Sequence, residues 1–279
     1  MIDTLTIVGV GLIGGSIGLA AKKRGLARRV LGVGRARDSL DRARALHAID
    51  EAFLDLMPAV RQASIVVVAV PVDRIAAQVL QAAGDCRAGT LLTDAGSTKA
   101  RLVAEIDSQL PAHVHFVGSH PLAGSEKRGA EFATADLFQE RWTVITPTPR
   151  SDAGAVERTR AFWTALGARV KAMSPEEHDR ALALTSHVPH LLASALAGLL
   201  PVELFDLAAS GFRDTTRVAA SDPELWTAIF AHNQPAVREA LALVDARLGQ
   251  FRQTLDAADW KSLAALLTQA KKVRDALGS

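Results

Sequence analysis

The sequence predicts a doubly wound α/β sheet followed by an all-α C-terminal domain, and three observations lead there. Short β-rich runs alternate with helical stretches up to about residue 165, the arrangement of a parallel sheet covered by helices on both faces. The first run passes straight into a glycine-rich turn that opens a helix, which makes the α/β half Rossmann-type. After "ARVKAM" (168–173) no strand-like run recurs, and helical patterning continues to the end. The boundary is expected near residue 170. Residues 1–169 then form a dinucleotide-binding domain, and 170–279 a helical substrate-binding and dimerisation domain.

In order, "LTIVGV" (5–10), "RVLGVG" (29–34), "SIVVVAV" (64–70), "TLLTDAG" (90–96), "HVHFVGS" (113–119) and "WTVITP" (142–147) are predicted strands. Several are apolar without alternation, as strands buried on both faces are. "SLDRARALHAID" (39–50) and "TKARLVAEIDSQL" (98–110) carry helical spacing between them. "SDAGAVERTRAFWTALG" (151–167) is a further helix, stopped by Gly167. "SPEEHDRALALTSHVPHLLASALAGLL" (174–200) opens with a capping box, with Ser174 as N-cap, Pro175 at the first helical position and Glu177 at the third. Within it Pro189 biases Val188 away from helix, so a helix starts or kinks at "SHVPH". "SDPELWTAIFAHN" (221–233) begins another helix, capped by Ser221 or Asp222. One or two long amphipathic helices follow. Their apolar faces, in "AVREALALVDARLGQF" and "WKSLAALLTQAKKV", exceed what one small bundle covers, so a homodimer through the C-terminal helices is expected.

The totals narrow the function classes. The 279 residues are 49% hydrophobic and 22% charged, a globular mix with a sizeable core. A net charge of +2 is too small to point to nucleic acid or a membrane surface. The single cysteine, Cys86, excludes an internal disulfide framework and suits a reducing compartment. No basic segment precedes the apolar start, and no run approaches the ~18 apolar residues of a membrane helix. A cytoplasmic protein is expected, with neither nucleic acid nor membrane as partner.

"GVGLIGGSIG" (9–18) supplies Gly9, Gly11 and Gly14 in G-x-G-x-x-G spacing. Gly9 permits the tight turn, Gly11 lets the backbone approach a pyrophosphate, and Gly14 allows close helix–strand packing. Leu12 and Ile13 within the turn and Val70 at the end of the third predicted strand belong to the same cofactor site. The helix N-terminus then offers free N–H groups to phosphates. An NAD site carries an acidic residue at the end of the second strand, to bond the ribose 2′-hydroxyl. Here Gly34 holds that place, followed by Arg35 and Arg37. Guanidinium groups suit an adenosine 2′-phosphate, so NADP is favoured and NAD remains possible.

His120, in "GSHPLAG" (118–124), follows a predicted strand, and Ser97, in "DAGSTK" (94–99), occupies the equivalent place one strand earlier. In open α/β folds ligands collect at the carboxyl ends of strands. An imidazole and a hydroxyl aimed at one crevice suit alcohol oxidation, the imidazole removing the hydroxyl proton while hydride leaves the same carbon. The chemistry alone equally allows a histidine that caps a loop through backbone hydrogen bonds.

In order and spacing, "GLIGGSIG", "DAGSTK", "GSHPLAGSEKRG", "SHVPH" and "GFRDTTRVAASDPELW" resemble the prephenate/arogenate (cyclohexadienyl) dehydrogenase family over roughly residues 5 to 230. The resemblance implies oxidative decarboxylation of prephenate to 4-hydroxyphenylpyruvate, or of arogenate to tyrosine, in tyrosine biosynthesis. It implies that His120 takes the ring-hydroxyl proton, that Ser97 orients that hydroxyl, and that Arg217 and His190 meet substrate carboxylate. Trp226 matches a pocket aromatic but fits a plain core position too. His187 fits a satisfied core histidine or, with His190, half of a metal pair; no third ligand has a recognisable spacing, so no metal is assigned. Arg213, Asp214 and Glu126 are either a polar gate at the pocket mouth or solvated surface charges. Neither the regulatory tail nor the mutase segment that some members carry is expected, so any feedback by tyrosine would act at the active site. Two rivals remain: another Rossmann-plus-helical reductase, of the β-hydroxyacid or pyrroline-carboxylate type, and a non-catalytic dinucleotide sensor.

Overall fold

The computed structural model describes residues 1–124, 127 and 129–278. Eight strands form one sheet: β1 Ile2–Val8, β2 Ala27–Val33, β3 Glu51–Phe53, β4 Ile65–Val68, β5 Leu91–Asp94, β6 His115–Pro121, β7 Trp142–Thr146 and β8 Arg169–Ala172. Their order is β3-β2-β1-β4-β5-β6-β7-β8. Strands β1 to β6 pair in parallel, and the connecting helices are α1 Leu12–Lys23, α2 Arg37–Ala45, α3 Leu56–Val60, α4 Val72–Asp85 and α5 Ala100–Gln109. Helix α6, Ala153–Ala165, joins β7 to β8.

Successive strand residues feed opposite faces of the sheet, the period-2 rule. Leu5 and Ile7 join a core with Ile17 and Trp163, whereas Val8 and its neighbours Val66 and Val68 join the core under Ile75 and Val79. This two-sided burial explains the unbroken apolar runs.

The structure corrects the sequence expectations in four places. Strand β7 runs antiparallel to β6. A parallel return needs a crossover of a dozen or more residues, usually helical, and the described residues between β6 and β7 supply only the 3₁₀ turn Ala130–Phe132. Strand β3, "EAF", is too short to carry a period. Strand β8, "RVKA", pairs in parallel with β7 and is largely exposed, as an edge strand can be, so its charged sequence hid it. The sheet therefore continues through Ala172, past the boundary expected after residue 169. Finally, Val188 is helical, at φ −64 and ψ −43. The missing N–H of Pro189 is absorbed by a π turn, Ala183–His187, that joins α7 (Pro175–Leu182) to α8 (Val188–Gly198).

Helix α9 spans Ser210–Thr216, α10 Pro223–His232, α11 Gln234–Asp256 and α12 Trp260–Ala276. Asp222, rather than Ser221, caps α10, accepting hydrogen bonds from the Glu224 and Leu225 amides. Helix α10 also docks on the α/β half, with Ile229 in the core that α4 covers. The helical half has little core of its own: Ala183, Val188, Val237 and Ala240 form a small buried cluster. No residue of α12 is buried.

Candidate active site

The glycine turn has the shape its spacing predicts. Gly9 lies at φ +93, a left-handed backbone, and a Cβ there would stand 2.5 Å from the Ala69 carbonyl oxygen. A Cβ on Gly14 would stand 1.9 Å from the Gly9 carbonyl oxygen, so α1 packs on the turn only without one. A Cβ on Gly11 would meet nothing within 4 Å: it would enter the open space in front of the α1 N-terminus. No side chain caps that terminus, which leaves its first N–H groups for an anion. The residues thus fit a dinucleotide pyrophosphate. Half-buried Leu12 and Ile13 open α1, and the Val70 Cγ1 lies 3.0 Å from the place of a Gly9 Cβ. Gly34 ends the β2 segment. Beyond it Arg35 and Arg37 are exposed, and the Arg37 guanidinium is 3.6 Å from the Asp41 carboxylate.

His120 sits on β6 beyond the last residue of β5, paired only with Val144 of β7. The same segment reaches back over the glycine turn: a Cβ on Gly124 would lie 3.9 Å from the Ile13 side chain, and the Thr134 amide donates to the Ser16 hydroxyl at 3.0 Å. Ser97 is half-buried on the loop after β5. One buried carboxylate holds both places. Asp94 accepts from the Gly96 amide at 2.8 Å and from the Ser119 amide at 2.9 Å, and it pairs with the fully buried ammonium of Lys99. Ser97 and His120 are therefore braced from a common point at the carboxyl end of β5.

The imidazole of His120 is held from behind. Its Nδ1 lies 2.9 Å from Nε2 of His178, whose Nδ1 lies 2.8 Å from the Asp179 carboxylate. That carboxylate also accepts from the Lys99 amide at 2.8 Å and the Ala100 amide at 2.9 Å. Burial drives the His120 pKa well below the ordinary histidine value, and the neighbouring His178, Lys99 and His187 push the same way. Burial also lowers His178, against the pull of Asp179. The ring of His120 is neutral at pH 7.

Beside this lies a second imidazole group. His187 is buried, and its Nδ1 lies 3.0 Å from the Asn233 amide nitrogen, which also donates to the Asp179 carbonyl oxygen at 2.8 Å. Burial brings its pKa down to about 4. His190 is buried and stacked on Trp226 with ring centroids 3.6 Å apart. Arg217 is exposed and opens the 3₁₀ turn Arg217–Ala220, which packs against α8, the helix of His190. Arg213 and Asp214 are exposed on α9, and the Arg213 Nε donates to the Ala208 carbonyl oxygen at 2.8 Å. Glu126 lies outside the described residues.

His178, Asp179 and Asn233 join the site from stretches of sequence that carry no site motif of their own, and Asp94 and Lys99 join it from the two ends of "DAGSTK". "EEHDR" reads as the charged first turns of a capped helix. Its Glu176, Glu177 and Arg180 are indeed exposed while His178 and Asp179 are buried. The available signal was the capping box itself, which fixes where α7 starts and hence which side of it faces the sheet.

A dinucleotide turn and a neutral imidazole on one edge of a doubly wound sheet define a nicotinamide-dependent dehydrogenase. The family model described as "Prephenate dehydrogenase, nucleotide-binding domain" matches residues 17–172, and "Prephenate dehydrogenase, dimerization domain" matches 174–269. The chain belongs to the prephenate dehydrogenase family. It is 34% identical to the prephenate dehydrogenase of Bacillus subtilis, over 99% of this chain and 76% of that protein. It is 35% identical to the cyclohexadienyl dehydrogenase of Zymomonas mobilis, over 98% and 95%. Among solved structures, the A. aeolicus prephenate dehydrogenase in complex with hydroxyphenyl propionate and NAD+ superposes with a TM-score of 0.93, at 29% identity over 99% of each chain.

Proposed function

We propose that this chain carries out the NAD(P)-dependent oxidative decarboxylation of prephenate, arogenate or both, in tyrosine biosynthesis. The observation that carries this is the imidazole of His120, bonded through Nδ1 to His178 and carried on the strand that leads to Gly124 over the glycine turn. Its Nε2 takes the proton of the cyclohexadienol hydroxyl while hydride leaves the same ring carbon. The bound nicotinamide supplies the hydride acceptor. Oxidation leaves a ring dienone, whose conjugated double bonds reach from the ketone to the carbon that bears the carboxylate. The carboxylate departs as CO2, its bonding electrons pass into the ring, and the resulting phenolate recovers the proton from His120. No net proton is released, and aromatisation drives the step forward.

Ser97 orients the hydroxyl, and Trp226 walls the pocket through its stack on His190. Arg217 and His190 receive the substrate carboxylate, Arg217 as a bidentate fork. His187 backs the site as a buried neutral ring held by Asn233. Arg213 and Asp214, exposed on α9, are assigned to a polar gate at the pocket mouth, the role that the family resemblance also gives Glu126. Gly9, Gly11, Leu12, Ile13, Gly14 and Val70 seat the dinucleotide. With Gly34 in place of an acid and Arg35 exposed beside it, NADP is the favoured cofactor. Among the described residues no helix is long and apolar enough to cross a membrane, in keeping with a cytoplasmic enzyme.

The test crosses prephenate and arogenate against NAD and NADP, with reduced-nicotinamide absorbance as readout, in the wild-type chain and His120→Asn. Turnover should fall about 10²–10⁴-fold in the variant, the usual worth of a general base, with cofactor affinity unchanged. A variant as fast as wild type would remove His120 as the base. Faster turnover with NAD would remove the role given to Arg35 and Arg37.

A further inference from the structure

The hydrogen bonds behind His120 determine where its protons sit. Both oxygens of the Asp179 carboxylate accept from backbone amides, those of Lys99 and Ala100, at 2.8 and 2.9 Å. An acceptor so placed requires the proton on Nδ1 of His178, 2.8 Å away. Neutral His178 then presents a bare Nε2, so the 2.9 Å contact with His120 is made by the His120 Nδ1–H donating. The remaining nitrogen of His120, Nε2, carries the lone pair.

We propose that His178 and Asp179 are a proton relay for His120: they set its tautomer and take up its charge during turnover. This rests on His120 being the base. When Nε2 accepts the substrate proton, the Nδ1 proton crosses to Nε2 of His178. His120 is left neutral, and the imidazolium lies on His178 against the Asp179 carboxylate. When the phenolate is reprotonated, the two protons return along the same bonds, so nothing is consumed. His120 touches the reacting atoms; His178 and Asp179 act through it.

The surroundings favour holding the charge on the inner ring. Among the described residues no carboxylate is in contact with His120: Lys99 and His187 stand near it, and both oppose a charge there. His178 has the Asp179 carboxylate in contact and that of Asp94 nearby, opposed by the ammonium of Lys99. From the helical side the neighbours of this pair are His187, with His190 beyond it, His232, which feels the Asp179 charge, and Asn233, which is neutral.

The discriminating variant is His178→Gln, whose side-chain oxygen can still accept from His120 Nδ1 but cannot take up a proton. The relay requires a fall of at least tenfold in the single-turnover rate, with cofactor Kd and substrate KM within about twofold of wild type. The acid limb of the pH–rate profile should move to lower pH, because the protonated site has lost its carboxylate-paired ring. In mixed H2O and D2O, the wild-type rate should depend on deuterium fraction with the curvature of two moving protons, and the variant rate linearly. Wild-type rate, acid limb and curvature in His178→Gln would overturn the relay and leave His120 as the base untouched, whereas full turnover in His120→Asn would remove the base itself. The wild-type chain gives a check that needs no variant: 15N shifts of the His120 ring should show Nδ1 protonated and Nε2 bare, and the opposite tautomer would overturn the relay.

Discussion

A buried imidazole that stays neutral makes the folded chain poorer in protons than the unfolded one. His187 is the clearest case, with a pKa of about 4 when folded against an ordinary value near 6.5. Because the folded-state value is depressed, the unfolded chain binds the extra proton as pH drops, and stability falls with it. The loss begins below about pH 6.5 and is complete near the folded-state value of about 4. The size is up to about 3 kcal/mol. Urea unfolding from pH 7 to 5 should therefore give a steep decline in stability. In His187→Gln the slope should be shallower by up to one proton, the remainder coming from His120, His178, His190 and His232, which are lowered too. Equal slopes in the two proteins would show that His187 is protonated in the fold. Nothing in "TSHVPH" gives this away. A histidine two residues before a proline reads the same whether it faces water or Asn233.

The elements differ in how much of their role is local. The glycine turn is local except where Gly9 faces the Ala69 carbonyl, and two of its glycines make opposite predictions. Gly14→Ala drives a methyl into the Gly9 carbonyl and should destabilise the fold by about 1–3 kcal/mol, the ordinary effect of overpacking. Gly11→Ala meets only open space, so stability should stay within about 0.5 kcal/mol while the methyl occupies the path of the pyrophosphate. Urea melts paired with a reduced-nicotinamide fluorescence titration separate them. Cofactor affinity should drop at least tenfold in Gly11→Ala at unchanged stability. Full affinity there would mean that the dinucleotide crosses elsewhere. Helix α7 is local in its start and tertiary in its purpose. Ser174 and Glu177 form the capping box that the sequence spells out, yet the helix matters for the site because it brings His178 to His120 and Asp179 to the start of α5. The π turn after it lies between. Pro189 announces a disturbance, but only packing decided that the chain would widen one turn and stay helical instead of breaking.

At the scale of the whole molecule, the helical half is unfinished as a single chain. Its buried cluster is small, α12 buries nothing, and Leu243, Trp260, Leu267 and Val273 are each more than half exposed. Apolar surface of that extent is covered in a stable protein, and the matching C-terminal family model is described as a dimerization domain. We therefore expect a homodimer through α11 and α12. Sedimentation at micromolar concentration should give twice the chain mass, and Leu243→Glu with Leu267→Glu should shift it toward the single chain. A wild-type protein that sediments at the chain mass would remove the dimer.

By itself the amino-acid sequence determined the alternation of strands and helices, the glycine turn, the cap of α7 and the motifs that carry the family resemblance. Each of these is written in residues within a few turns of one another, where spacing is geometry. The direction of β7, the strands β3 and β8 and the partners of His120 were decided only by the tertiary structure. His120 and His178 stand 58 residues apart, and Lys99 and Asp179 stand 80 apart. No local period reports which charged or imidazole side chain of an amphipathic helix will find a buried partner across such a distance. That is settled when the packing of α7 against α5 and β7 excludes water and leaves each polar atom only the neighbours the fold provides.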